Sequence, residues 1–144
     1  MKNIIINFRH SGLVTQNIKK SLRFYNKILG LRIIKKSNEE KQYIEKLLKI
    51  KDGNLTTYKL GIKSKIFLEL LDFKKKKKNM PLKVNENGLT HLALTVRDMD
   101  KIVSKLKKNK IKFNSKVLIS DDKKVKVVFC KTPENIYLEL VEQL

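Results

Sequence analysis

HSGLVTQNIKKSL, residues 10–22, lies over HLALTVRDMDKIV, residues 91–103, and this correspondence decides the fold. The two stretches share their leading His10 and His91, the apolar Leu13 and Leu94, and the helix-capping Asn17 and Asp98. Working outward, KIFLELLDF (65–73) lies over NIYLELVEQ (135–143), with Ile66/Ile136, Leu68/Leu138, Glu69/Glu139 and Leu70/Leu140 identical. Self-similarity at fixed internal offsets is the mark of a duplicated unit.

Each copy reads strand, helix, then three strands. In the first, Ile4 to Val14 is expected as a strand. Asn17 then caps a helix over Ile18 to Leu29, with Ile18, Leu22, Tyr25 and Leu29 at helical spacing and Gly30 as its stop. Strands are expected at Leu31 to Lys35, Leu55 to Ile62 and Lys65 to Phe73, with an extra helical segment at about Glu40 to Ile50 that the second copy lacks. The second copy predicts strands at Leu89 to Val96, Ile111 to Val117, Lys124 to Cys130 and Ile136 to Val141, and a helix from Met99 to about Lys108. Between the copies, the lysine run Lys74 to Lys78 and the segment through Pro81 to Asn87 read as an exposed, self-repelling linker. The chain divides as a first module at 4–73, a linker at 74–87 and a second module at 88–144.

With 144 residues, 41% of them apolar, the chain is long enough for one compact domain built from two small modules on a common core. Its formal charge is +20, from 34 Lys and Arg against 14 Asp and Glu, which favours anionic partners. Nucleic acid is disfavoured: the lysines are spread over every segment, Arg is scarce, and Tyr and Phe sit inside apolar runs rather than between charges. One cysteine, Cys130, excludes an internal disulfide and a thiolate zinc cluster. No apolar run reaches membrane-spanning length and MKNIIINF is too short for a signal sequence, so a cytoplasmic setting is expected.

The chemistry lies in four residues. The only two histidines fall on the first strand of each copy, and each final strand carries one glutamate among apolar neighbours. Phe67 and Leu71 share the face of Glu69, and Tyr137 and Val141 that of Glu139. An ionised carboxylate there is costly unless a cation compensates it. Two imidazoles with two carboxylates suit Zn, Ni, Co, Mn or Fe. If a pseudo-twofold axis relates the copies, His10, Glu69, His91 and Glu139 converge on one such ion and leave positions for substrate oxygens. Glu45, on the extra helical segment, is a further candidate base, and Phe8, Phe67 and Tyr137 are candidate pocket walls.

RHSGLVTQNIKKSLRFYNKILGLRI (9–33), with its FY and LGL landmarks, and PENIYLELVE (133–142) resemble the vicinal oxygen chelate superfamily over essentially the whole chain. That superfamily includes glyoxalase I, methylmalonyl-CoA epimerase, extradiol dioxygenases and fosfomycin-resistance proteins. The resemblance implies an α+β fold of paired βαβββ modules forming a curved mixed sheet around a metal, in a homodimer whose modules associate edge to edge or exchange. A carboxylate at Glu69 beside the two His and Glu139 is similar to the glyoxalase I ligand set; the epimerases commonly carry Gln there. The implied activity is a glyoxalase I-like lyase or isomerase reaction, a metal-assisted proton transfer next to a carbonyl through an enediolate or enolate, with Glu139 or Glu69 as base. The implied substrate is an anionic small molecule: a thiol conjugate, a coenzyme A ester or a phosphorylated compound. The alternatives are a methylmalonyl-CoA epimerase-like enzyme and a metal-free binding or resistance protein.

Overall fold

The structure, a computed structural model, describes residues 4–77 and 82–144. Its first half runs β1 (Ser11–Val14), α1 (Ile18–Leu22), a π-helical turn (Arg23–Ile28), β2 (Arg32–Asn38), α2 (Lys41–Leu48), β3 (Leu55–Ile62) and β4 (Lys65–Phe73). Its second half runs β5 (His91–Thr95), α3 (Met99–Lys108), β6 (Leu118–Ile119), β7 (Val125–Lys131) and β8 (Tyr137–Gln143). The strands form two four-stranded mixed sheets of the same topology, ordered β1-β4-β3-β2 and β5-β8-β7-β6. In each sheet the first strand joins the last in parallel and the remaining pairs are antiparallel. This is the paired βαβββ architecture, with α2 inserted in the first half only.

Local chemistry accounts for the element ends. The Asn17 side chain accepts from the Lys20 amide at 3.1 Å to start α1, and Asp98 accepts from the Lys101 amide at 2.9 Å to start α3. The first helix then widens: the Leu29 amide bonds the Phe24 carbonyl, five residues back, and the helix stops where Gly30 takes φ +83°. Gly61 permits the tight β3–β4 bend, because a Cβ there would lie 1.8 Å from the Lys65 carbonyl oxygen.

One core serves both halves. Leu60, Leu68 and Leu70 of the first sheet and Cys130, Leu138 and Leu140 of the second join Phe24, Tyr25, Met99 and Leu106 from the helices in a single buried cluster. Each Leu, Phe and Met side chain among them contributes about 1.5–3 kcal/mol on burial. Polar contacts join the halves as well: the Tyr25 hydroxyl donates to Glu134 at 2.8 Å, the Ser21 hydroxyl donates to the same carboxylate, and Arg23 donates to Asn109 at 3.0 Å. Burial and the neighbouring Glu134 charge hold the Tyr25 phenol well above its usual value. Among the described residues no helix is long and apolar enough to cross a membrane.

Two expectations change. The strand expected from Ile4 begins only at Ser11, where its parallel pairing with Leu68 of β4 starts, and Ile4, Ile5, Ile6 and Phe8 are left exposed. The strand expected over Ile111 to Val117 is reduced to one bridge, Phe113 to Cys130, with β6 following at Leu118–Ile119. The sheet face bearing each glutamate is only partly covered, whereas the Leu68/Leu70 and Leu138/Leu140 faces are fully buried. In the linker, Lys75 and Lys76 pair with Asp52 and Asp72, while Lys78 to Pro81 lie outside the described residues.

Cys130 sits in this core with its thiol pushed up to about 12 by desolvation. A disulfide exchange reagent at about pH 8, below the ordinary thiol range, should therefore leave the native protein unlabelled and titrate one thiol per chain after unfolding in guanidinium. Rapid stoichiometric labelling of the native chain would contradict this burial.

Candidate metal centre

The register places each histidine beside its own glutamate. Gly12 on β1 is the cross-strand partner of Glu69 on β4, so His10, two residues before Gly12, projects from the same side. His10 Nε2 lies 2.9 Å from Glu69 Oε2. In the second sheet Ala93 is the partner of Glu139, and His91 Nε2 lies 3.5 Å from Glu139 Oε2. Small residues, Gly12 and Ala93, occupy the equivalent cross-strand places opposite the two carboxylates, and the Leu71 side chain reaches over Gly12, where a Cβ would meet its Cδ1 at 3.2 Å. The Thr90 hydroxyl lies 3.2 Å from His91 Nδ1 and the Phe129 ring meets the imidazole edge-on at 5.6 Å, so Nε2 is the nitrogen left toward Glu139.

Both spacings suit a shared cation. Two ligand atoms about 2.1 Å from a divalent ion stand about 3.0 Å apart at a right angle and about 3.4 Å apart at a tetrahedral one. The residues present therefore fit such an ion chemically, as two half-sites of one imidazole and one carboxylate each. The structure does not bring the two pairs together within the chain: among the described residues no group of three or more His, Cys, Asp or Glu is placed to hold one ion.

Other candidates find other places. Glu45 accepts from the Gly53 amide at 3.0 Å and pairs with Lys41, which ties α2 to the turn after it, a structural task. Phe8 and Phe67 line a cavity of ≈ 700 Å³ beside His10, together with Arg9, Lys35, Lys59 and Lys65. Tyr137 lies under the Lys131 ammonium, 3.6 Å from its ring centroid. Sequence reading passed over Lys59, whose ammonium stands 3.5 Å from Glu69 Oε1. Its signal was available: the offset that matches Glu69 with Glu139 also matches Lys59 with Phe129, a cation against an aromatic ring.

Comparisons with known proteins bear on the fold and the family. The chain is 28% identical over 142 residues to the lactoylglutathione lyase of Schizosaccharomyces pombe, covering 93% of this chain and 46% of that protein. The chain thus spans about half the length of that curated relative. Among solved structures, a glyoxalase family protein from Bacillus cereus superposes with a TM-score of 0.85 at 19% identity, over 99% of this chain and 97% of that one. The trypanothione-dependent glyoxalase I of Leishmania major superposes at 0.70 with 18% identity, over 96% and 87%. With residues 7–140 matching the family model described as the Glyoxalase/Bleomycin resistance protein/Dioxygenase superfamily, the chain belongs to that superfamily.

Proposed function

We propose that this protein is a metal-dependent, glyoxalase I-like lyase or isomerase that moves a proton next to a carbonyl, with His10 and Glu69 of one copy and His91 and Glu139 of a second holding one ion. The observation that carries the reading is the pair of matched half-sites, at 2.9 and 3.5 Å, on equivalent strands of a duplicated unit. The lyase named for the yeast relative supports a hemithioacetal-type thiol conjugate as substrate, consistent with a reducing, cytoplasmic setting.

Two features favour completion by a second copy. β1 and β5, the strands that lead out of the half-sites, are both edge strands among the described residues, each paired on one side only. The groove between them, ≈ 860 Å³, is lined by Phe8, Phe67, Leu89, Leu92, Leu94 and His91, a mostly apolar wall that a second chain would cover.

A bound divalent cation supplies Lewis acidity, which acidifies the C–H beside a carbonyl. The chain's own residues do the rest. Glu69 is held from two sides, by His10 and by Lys59, whereas Glu139 has only the looser His91 contact among the ion pairs of the described residues. Glu139 is therefore the carboxylate free to take the proton from one carbon and return it to its neighbour, and Glu69 the fixed one.

The grouping of metal-capable side chains in twos within one chain favours a second reading, a metal-free binding protein. Purification without chelator, followed by metal analysis and sedimentation, separates the two. The enzyme reading expects about one ion per chain in a dimer, loss of that ion in the His91→Ala/Glu139→Ala double variant, and turnover of the methylglyoxal–glutathione hemithioacetal. A metal-free monomer that binds the hemithioacetal without converting it would establish the second reading instead.

A further inference from the structure

The two halves of the site differ in one systematic way. Across the first sheet the register aligns Gly12, Glu69, Lys59 and Lys35 in one row; across the second it aligns Ala93, Glu139 and Phe129. One glutamate thus has a lysine at its shoulder and the other an aromatic ring. Lys35 and Lys59 are direct partners across antiparallel strands, an arrangement in which like charges oppose each other and destabilise the sheet.

Glu69 does not fully relieve that repulsion. It is already engaged by His10 at 2.9 Å, and the Lys59 ammonium stands off at 3.5 Å, longer than a charge-assisted hydrogen bond. Lys59 is also unlike most of the lysines, because its side chain is only 23% exposed. A half-buried ammonium with incomplete partners draws an anion more strongly than a solvated one. Arg9 and Lys65 complete a cationic wall around the same cavity, whose described lining residues include no Asp or Glu, although the Glu69 carboxylate touches His10 and Lys59 of that lining.

We infer that this cavity is the subsite for a carboxylate or phosphate group of the substrate, with Lys59 as its specificity-determining residue. The inference rests on the first half-site forming one side of the reaction centre. Lys59 and Lys35 grip the anionic end, and Phe129, on the half-site that completes the centre, packs against the apolar end.

The test compares wild type, Lys59→Met, Lys59→Arg and, as a remote charge control, Lys107→Met, whose side chain is exposed on α3. Turnover is measured on methylglyoxal hemithioacetals of 3-mercaptopropionate, which is anionic, and of 2-mercaptoethanol, which is neutral. Binding of S-methylglutathione, of its dimethyl ester and of inorganic phosphate is measured separately by calorimetry. Lys59→Met should weaken use and binding of the carboxylate forms by about ten- to a hundred-fold more than those of the neutral thiol and the ester, whose smaller loss reports the contact of Lys59 with Glu69. Lys59→Arg should restore most of the loss, and Lys107→Met should change neither. Tighter binding of phosphate than of S-methylglutathione, also lost in Lys59→Met, would assign the subsite to phosphorylated substrates. Equal losses for anionic and neutral forms, or no loss for either, would overturn the inference while leaving the glyoxalase-like reaction standing. Lys59-dependent anion binding without hemithioacetal turnover would overturn the reaction and leave the subsite standing.

Discussion

Glu139→Gln is expected to lower kcat by about 10²- to 10⁴-fold, the range set by removing a general base, with the ion still bound. Gln keeps the shape and one carbonyl oxygen of Glu, so it can remain a neutral ligand, but it cannot take up a proton at neutral pH. Its effect on stability should be small, because Glu139 is half-buried rather than sealed in the core. Glu69→Gln should cost much less activity. Glu69 is tethered by His10 and Lys59, and in the proposed centre it would serve as a fixed donor, a task the amide oxygen can share. Steady-state kinetics beside metal analysis of both variants checks this. A larger loss in Glu69→Gln, with the ion retained in both, would exchange the roles of the two carboxylates.

The second large effect is complementation between inactive chains. If the centre joins the first half of one copy to the second half of another, His10→Ala/Glu69→Ala and His91→Ala/Glu139→Ala are each inactive alone, because every site then lacks one pair. In a mixed dimer, one site collects both damaged pairs and the other collects both intact ones. Random re-pairing of equal amounts should therefore restore about a quarter of the wild-type sites, since about half of the dimers are mixed and each has one good site. A centre formed inside a single chain gives no recovery at any ratio. The readout is activity after co-refolding or prolonged mixing, with wild type carried through the same steps, and a null result under conditions where exchange is shown by sedimentation of a tagged chain would exclude the shared centre.

Much of this architecture was legible from residues alone. β3 and β4 fall over Leu55–Ile62 and Lys65–Phe73 as expected, and α3 starts at its Asp98 cap, because alternation and capping are local signals that tertiary context here reinforces. The duplicated His and Glu were visible for the same reason. What was not legible depends on partners distant in sequence. Ile4 to Phe8 has the composition of a strand, but a strand exists only where a neighbour accepts its backbone, and β4 pairs no further back than Ser11. The segment after α3 runs beside β7 with only scattered bonds, Asn114 N–H to the Phe129 carbonyl and Lys131 N–H to the Lys112 carbonyl, so it does not register as a strand. Lys59 was hidden among 34 basic residues; only the register that faces it toward Lys35 and Glu69 sets it apart.

The unequal shoulders of the two glutamates carry an evolutionary consequence. A single ancestral unit paired with itself would present mirror-like walls and read a ligand equally well in either direction. The two halves of this chain differ here, and a lysine in one and a phenylalanine in the other give the proposed pair a head and a tail. A lopsided molecule can be held in one orientation only between walls that have stopped being alike.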